Sequence, residues 1–495
     1  IKNKNSDIVQ KTDSVAPDSI PHPPAMVYPF KAYGFDSLPK AETILFTNAT
    51  IWTSDSIGVI ENGRMLVSKG KIKAVGVSIN VEEELGKKSK DDYKTIDLKG
   101  KHITPGIIDE HSHIAITRGV NEGTQTSTAE VRIGDALNPN DINIFRQLSG
   151  GVTTSQLLHG SANPIGGQSA IIKLRWGRGM DEMIFQEAPG FIKFALGENV
   201  KQSNWGDNYR SRFPQTRMGV EQVFYEYFFR AKAYADEKRI HEAQVNEEKK
   251  KRRRKKDPEP DPFLRNLELE AISEILSSER FITCHSYVQS EINMLMHVAD
   301  SMGFTLNTFT HVLEGYKVAD KLREHGASAS TFSDWWAYKF EVNDAIPHNA
   351  SLLVEQDVNT AINSDDAEMG RRLNQEAAKS LKYGGMSEED ALRMVTINPA
   401  KMLHVDSVTG SITSGKHADF VIWSDHPLSV YSIVENTYID GIEYFNRKKL
   451  EDLEKRDRER RAAIYTKMEK AKNGGAKTRK PSRKMERYYE CETLE

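Results

Sequence analysis

Two histidines separated by one residue, His111 and His113, follow an apolar run in this chain. Alternate side chains of a β-strand point to the same side, so a strand over 103–114 would present both imidazoles together. Imidazole is the commonest metal-binding side chain in proteins, and the pair therefore forms half of a candidate metal site. Because two histidines often fall this close by chance, the interpretation depends on ligands elsewhere in the chain.

Three further residues of ligand type, His285, His311 and Asp365, each follow a β-rich run. Active sites of (β/α)₈ barrels lie at the carboxyl ends of the strands. Four histidines and one carboxylate at strand ends are hard to explain as structural residues. Nitrogen and oxygen donors suit zinc and other divalent metals, so the sequence predicts a metal site.

The middle of the chain alternates between β-rich and helical patterns, and the fold class that this rhythm indicates is α/β. The helical patterns include 291–301 and 314–324. The β-rich runs are 103–114, 152–158, 170–174, 190–196, 281–285, 305–311, 327–332 and 358–363. Eight such units predict a (β/α)₈ barrel.

Short β-rich runs also lie on both sides of the predicted barrel, and they favour a small discontinuous β-sandwich domain built from N- and C-terminal segments. Five parts of the chain are therefore expected. They are an extended arm (1–41), the sandwich (42–102 and 403–446), the barrel (103–402), a charged insertion within it (about 236–262), and a charged helix and tail (447–495).

Composition excludes several classes of protein. The 68 basic and 71 acidic residues give a formal charge of −3, which argues against a nucleic-acid-binding protein. The basic octamer 249–256 has acidic neighbours and is interpreted as a solvated insertion. Two cysteines cannot build a disulfide framework, and no apolar run reaches the ~20 residues of a membrane span.

From these limits we expect a small-molecule substrate, no nucleic-acid partner and no membrane. We also expect a soluble protein, either cytoplasmic or exported after removal of a signal. A homo-oligomer and a further domain beyond the C-terminal end remain open alternatives.

Several motifs occur in a characteristic order. They are 103–113 (ITPGIIDEHSH), 150–154 (GGVTT), His285, His311, 364–365 (SD), 398–401 (NPAK), 410–412 (GSI) and 415–421 (GKHADFV). Over roughly 42–446 this pattern resembles the amidohydrolase superfamily of metal-dependent hydrolases, and most closely its imidazolonepropionase-related branch. The resemblance implies a barrel with a flanking β-sandwich, in agreement with the pattern of runs.

The resemblance also implies roles for the ligand-type residues. His111 and His113 would hold the more buried of one or two divalent metals, with zinc expected. His285 and His311 would bind a second metal, or help to bind the first and orient the substrate. Asp365 would bind the first metal and act as general base. The implied reaction is attack of a metal-bound hydroxide on a C–N bond of an amide, cyclic amide or dipeptide-like substrate.

The fourth predicted strand offers two candidates for a further ligand. Binuclear members of the superfamily use a carboxylated lysine at this strand, and Lys193 matches that position. Glu198, at the edge of the following loop, is the alternative. A lysine within an apolar strand is costly to bury unless it is paired or modified, which favours Lys193.

Three residues are candidates for binding the substrate. His159 and Asn163 lie in a glycine-rich loop between two predicted strands, and that loop is equally compatible with a structural turn. Arg217 has the bidentate geometry to bind a carboxylate, although an ordinary surface arginine is the alternative. For the whole protein, the alternatives are a deaminase on the same scaffold and a non-catalytic protein that binds partners.

Overall fold

The computed structural model describes residues 26–86, 93–201, 212–251, 261–335 and 337–479. The strands among these residues are β1 (Ile44–Trp52), β2 (Val59–Ser68), β3 (Lys71–Gly76), β4 (Lys94–Asp97), β5 (His102–Pro105), β6 (Ile107–Ser112), β7 (Val152–Leu157), β8 (Ile165–Gln168), β9 (Ala170–Lys173), β10 (Gly190–Ala195), β11 (Arg280–Ser286), β12 (Thr308–His311), β13 (Ser328–Thr331), β14 (Thr360–Ile362), β15 (Phe420–Trp423), β16 (Val434–Ile439) and β17 (Ile442–Asn446). The α-helices are α1 (Val81–Leu85), α2 (Ile142–Leu148), α3 (Met180–Met183), α4 (Arg217–Lys251), α5 (Leu267–Leu276), α6 (Gln289–Met302), α7 (Ala319–His325), α8 (Asn349–Glu355), α9 (Leu373–Gly384), α10 (Glu388–Arg393), α11 (Ile397–Met402) and α12 (Arg447–Asn473).

One eight-stranded sheet joins strands from both ends of the chain. Its order is β17-β16-β15-β5-β1-β2-β3, and β4 pairs with β1 in addition. The N-terminal strand β5 pairs antiparallel with the C-terminal strand β15. The β-rich segments that the sequence placed before and after the barrel therefore meet in a single sheet. The division of the chain into a sandwich and a barrel domain remains a prediction.

The run predicted as one strand over 103–114 is two strands in two different sheets. β5 belongs to the eight-stranded sheet, whereas β6 pairs with β7. Gly106 separates them, and a Cβ atom there would lie 2.1 Å from Oγ1 of Thr153. The bend consequently requires glycine, because only a residue without a side chain permits this close approach.

The remaining strands form a six-stranded sheet, β14-β13-β12-β11-β10-β8, and a three-stranded sheet, β6-β7-β9. The neighbours from β10 to β14 are parallel. The third predicted strand differs from the expectation, because β9 pairs antiparallel with β7. The molecule is thus a mixed α/β protein, and the closure of eight strands into a barrel remains a prediction.

Helices cover the parallel strands with apolar faces. In α6 the buried residues Ile292, Leu295, Met296 and Ala299 recur at the spacing of one helical face. The helix ends at Gly303, which has the left-handed φ of 83° that glycine adopts without strain. Of the two helical patterns in the sequence, this one is confirmed, whereas the pattern at 314–324 is a 3₁₀ turn followed by the shorter helix α7.

The two charged segments are partly helical. The end of α4 reaches into the predicted insertion, and residues 252–256 of the basic octamer lie outside the described residues. The charged C-terminal segment contains α12, which has no buried residue. None of the helices in the described parts of the chain is both long and apolar enough to cross a membrane.

A buried lysine connects the three-stranded sheet to the C-terminal strands. Lys173, at the end of β9, has a fully buried side chain whose Nζ lies 3.0 Å from Oδ2 of Asp419 and also pairs with Asp440. Arg175 forms a second ion pair with Asp440 at 2.7 Å. Burial of a charge is costly unless it is paired and hydrogen-bonded, so this network fixes how β9 packs against the eight-stranded sheet.

Replacing Lys173 by Met should lower the free energy of unfolding by about 3–5 kcal/mol, because the substitution removes the cation that pairs with the buried carboxylate of Asp419. Denaturant titration would measure the change. The control is Arg132→Met, which removes an exposed ion pair with Asp135 and should cost about 0–1 kcal/mol. Similar losses for both variants would contradict a special role for the buried network.

Candidate active site

Five of the predicted ligands lie at or just beyond the carboxyl ends of strands. His111 lies near the end of β6, with His113 one residue beyond that strand. His285 and His311 lie at the ends of β11 and β12. Asp365 follows β14, and its backbone N–H donates a hydrogen bond of 3.1 Å to the carbonyl of His111. Two separate sheets thereby contribute to one cluster.

The carboxylate of Asp365 is the centre of this cluster. Its Oδ1 lies 3.2 Å from Nε2 of His111 and 3.1 Å from Nε2 of His113. Its Oδ2 lies 3.6 Å from Nε2 of His311. His285 contacts this group through His311, and the centroids of the two rings are 4.8 Å apart.

Two residues of the cluster have positive φ angles that are uncommon for residues other than glycine. The φ angle is 68° at His311 and 48° at Asp365. Left-handed backbone at such residues is strained and occurs preferentially at functional sites. The surrounding strands therefore hold these two side chains in positions that the local backbone would not choose by itself.

Strand β10, which is the fourth strand of the predicted barrel, carries Lys193, and the loop after it carries Glu198. These two candidate ligands have different surroundings. Lys193 is fully buried in β10, and its Nζ lies 3.1 Å from Nε2 of His111. Glu198 instead forms ion pairs with Lys201 at 2.8 Å and with Arg217 at 2.7 Å. Of the two, only Lys193 is thus brought beside the ligand-type histidines.

The environment keeps the imidazoles in the neutral form. Burial, followed by the charge of Lys193, lowers the pKa of His111 to about 3. Burial also holds the pKa values of His285 and His311 well below their usual range. Burial alone would raise the pKa of Asp365, but the contacts of its carboxylate with the neighbouring histidines, chiefly His111, hold it well below the usual value. A carboxylate among neutral imidazoles is a donor set that suits a divalent metal.

The hydrogen bonds of His113 also support a metal site. Its Nδ1–H donates to the carbonyl of Leu158 at 2.9 Å, so in the neutral ring the lone pair is on Nε2. That nitrogen faces the Oδ1 atom of Asp365, and two acceptors at 3.1 Å need a cation or a proton between them. Within the described residues, Nε2 of His285 and both ring nitrogens of His311 are buried without a hydrogen-bond partner.

A second group of potential ligands already surrounds a cation of the protein itself. His417, Asp419 and Asp440 approach one another closely enough to hold a metal. However, the ammonium of Lys173 lies among them, 2.8 Å from Nδ1 of His417. In the described part of the chain, the cluster around Asp365 is therefore the better candidate for a metal centre.

The buried carboxyl group of Asp109, which was not among the residues predicted from the sequence, holds the segment of Asp365 in position. Ser364 donates from its hydroxyl to Oδ2 of Asp109 at 2.6 Å and from its backbone N–H to Oδ1 at 3.2 Å. Asp109 precedes His111 by two residues, so this contact joins the end of β6 to the segment that carries Asp365. The signal available in the sequence was the polar pair Asp109 and Glu110 at the end of an apolar run.

His159 and Asn163 bind neighbouring backbone. The two ring nitrogens of His159 contact the carbonyl of Gly160 and the N–H of Glu122, each at 2.7 Å. Asn163 donates from Nδ2 to the carbonyl of Glu122 at 3.1 Å and to Oγ1 of Thr128 at 2.8 Å. These contacts hold the loop after β6 against the loop after β7, which favours the structural alternative for both residues.

Arg217 is surrounded by carboxylates of the protein itself. Its guanidinium lies 2.7 Å from Glu198, 2.9 Å from Glu291 and 3.3 Å from Glu341. The donors that would bind a substrate carboxylate are therefore directed at three glutamates. These ion pairs balance part of the charge of the acidic group, and a role of Arg217 in substrate binding stays a prediction.

Comparisons with known proteins agree with the motifs. The amidohydrolase family model matches residues 277–456. A solved structure of an amidohydrolase from Thermotoga maritima MSB8 is 32% identical, covers 82% of this chain and 100% of its own, and superimposes with a TM-score of 0.71.

Curated relatives extend the agreement. Amidohydrolase tasK of Hapsidospora irregularis is 28% identical over 437 residues, which are 81% of this chain and 43% of that protein. An imidazolonepropionase of Geobacillus kaustophilus is 41% identical over 61 residues, which are 12% of this chain and 13% of that protein. The matches thus span less than half the length of these two relatives.

Substituting Lys193 by Met or His311 by Asn should lower metal affinity by about tenfold or more, since even residues that only support ligands contribute this much. Elemental analysis after dialysis against a weak chelator would measure the retained metal. The matched control is Glu198→Gln, which should retain as much metal as the wild type. Loss of metal in Glu198→Gln, with full retention in Lys193→Met, would show that Glu198 and not Lys193 contributes to the metal site.

Proposed function

Because this chain belongs to the amidohydrolase family, whose members are generally metal-dependent, we propose that it hydrolyses the C–N bond of an amide, cyclic amide or dipeptide-like substrate. The observation that carries the proposal is the grouping of His111, His113 and His311 around the carboxylate of Asp365. The neutral buried imidazoles of His111 and His311, beside an ionised carboxylate, favour metal-assisted hydrolysis over a purely structural cluster.

The proposed ligands fall into two groups. His111, His113 and Asp365 would hold the more buried metal, whereas His285 and His311 would hold a second one. Zinc is the metal that this donor set favours. A bound divalent metal would lower the pKa of a water molecule and polarise the substrate carbonyl.

Lys193 is a proposed further ligand. An ammonium group repels a metal, but reaction of the neutral amine at Nζ with carbon dioxide, with loss of one proton, would form a carbamate, which is an anionic oxygen donor. Two observations support this modification: the side chain is fully buried, and its Nζ lies 3.1 Å from a nitrogen of His111. A buried ammonium is costly unless it is paired or modified, and a carbamate at this position would have its charge paired by a bound metal.

Asp365 carries the proton transfers in this mechanism. As a carboxylate it accepts a proton from the attacking water while the water oxygen bonds to the carbonyl carbon. It then returns that proton to the nitrogen as the C–N bond breaks, so the products are a carboxylic acid and an amine. His311, whose ring is buried beside Asp365, would orient the substrate carbonyl for this attack.

A deaminase on the same scaffold is the alternative reaction. Deaminases in this superfamily commonly use one metal and no bridging lysine, so the position of Lys193 beside His111 favours amide hydrolysis. The two activities differ in their products. A deaminase releases ammonia from an amidine carbon, whereas the proposed enzyme releases a new amine and a new carboxylate from a substituted amide.

Changing Asp365 to Asn should lower kcat by about 10²–10⁴-fold on any amide that the wild type hydrolyses, because the carboxamide cannot accept the proton. The measurement is steady-state kinetics on a panel of amides, cyclic amides and dipeptides with the metal-loaded protein. Metal content must be determined in parallel, since Asp365 is also a proposed ligand.

Two outcomes would contradict the proposal. Wild-type rates for a metal-loaded Asp365→Asn variant would exclude the general-base role. Release of ammonia from amidines, with no hydrolysis across the amide panel, would establish the deaminase alternative instead.

A further inference from the structure

The loop that follows β13 lies against the candidate metal centre through a series of aromatic contacts. Trp335 stacks on Phe332 with 4.5 Å between ring centroids. Phe332 and Tyr287 in turn both stack on His311, at 4.8 and 5.6 Å. The hydroxyl of Tyr338 donates to that of Tyr287 at 3.2 Å. The loop is therefore fastened to the rings that surround the metal-site histidines.

Lys339 is the residue that this loop brings to the site. Its ammonium lies 4.0 Å from the centre of the Tyr287 ring and 3.9 Å from Oε2 of Glu341. The side chain is 27% exposed, so solvent reaches it. Its charge is close enough to His285 and His311 to contribute to lowering the pKa of both.

Lys339 also lines a cavity of about 690 Å³, together with Arg217, Glu198 and Glu341. This volume is within the range of sites for small molecules. Val288, the residue after Tyr287, lines the same cavity. Lys339 thus belongs both to the lining of this cavity and to the surroundings of Tyr287, whose ring stacks on His311.

Two other cations near this cavity, Arg217 and Lys317, lie closer to carboxylates of the protein than the 3.9 Å that separates Lys339 from Glu341. Arg217 pairs with three glutamates. Lys317 lies 3.4 Å from Glu314 and 2.6 Å from Asp344, and these two acids line the cavity. Lys339 differs from both, because it lies over an aromatic ring that itself contacts the metal-site histidines.

We propose that Lys339 binds a carboxylate of the substrate, so that the preferred substrates are N-acyl amino acids or dipeptides with a free carboxylate. This inference rests on the proposed hydrolysis of C–N bonds. The distances from Lys339 to Tyr287 and from Tyr287 to His311 are spanned by one or two residues of extended chain, at roughly 3.3–3.6 Å per residue. A scissile amide at the cluster would therefore place the carboxylate of the same amino acid or dipeptide near the ammonium.

The test compares two substrates that differ only in charge, an N-acyl amino acid and its C-terminal carboxamide, on the metal-loaded enzyme. For the wild type, kcat/KM should be about tenfold to a hundredfold higher for the carboxylate, as expected for a hydrogen bond between charged groups. In Lys339→Met this preference should disappear, mainly through KM for the carboxylate. Lys339→Arg should restore most of it, because the guanidinium keeps the charge.

The matched control is Lys321→Met, which removes the same charge from the surface helix α7, where Lys321 contacts Asn293 at 2.7 Å. Its ratio of the two kcat/KM values should equal that of the wild type. Equal loss of preference in this variant would mean that overall charge, and not Lys339, selects the substrate.

The outcomes separate this inference from the proposed function. If the wild type hydrolyses the amide panel but shows no preference for the carboxylate, or if Lys339→Met keeps the preference, the assignment of Lys339 is wrong and the hydrolase remains. If the wild type hydrolyses no amide at all, the proposed function itself fails.

Discussion

The arrangement of the candidate active site depends on one interaction, the contact of the buried Asp365 carboxylate with the imidazoles around it. Burial keeps the rings of His111 and His311 neutral, so the cluster combines a negative oxygen donor with uncharged nitrogen donors. Lys193 is the cation beside these groups, with its Nζ 3.1 Å from Nε2 of His111. A carboxylate and neutral imidazoles are the protonation states in which such side chains bind a divalent metal.

Backbone geometry maintains that contact. The N–H of Asp365 donates to the carbonyl of His111. The backbone N–H and the hydroxyl of Ser364 both donate to the carboxylate of Asp109. Together these bonds join the end of β6 to the segment after β14. Residues in left-handed backbone persist only where the surrounding structure holds them, and the contacts of Asp109 provide that support for Asp365.

Three lysines illustrate how the molecule uses cations at different depths. Lys173 is fully buried and lies between two aspartates, where it connects sheets. Lys193 is equally buried but faces an imidazole nitrogen of His111. Lys339 is partly exposed above the ring of Tyr287 at the cavity. The first stabilises the fold, whereas we propose that the second holds metal and the third selects the substrate.

The sequence by itself determined the ligand types and their positions at strand ends, because both follow from local pattern: β-rich runs ending in His111, His285 or Asp365. It also identified the family, since ordered motifs are a property of the chain. Only the tertiary structure placed Lys193, and not Glu198, beside His111. It also separated β5 from β6 at a bend and paired Arg217 with glutamates. These outcomes depend on contacts between residues far apart in the chain, which no local pattern contains.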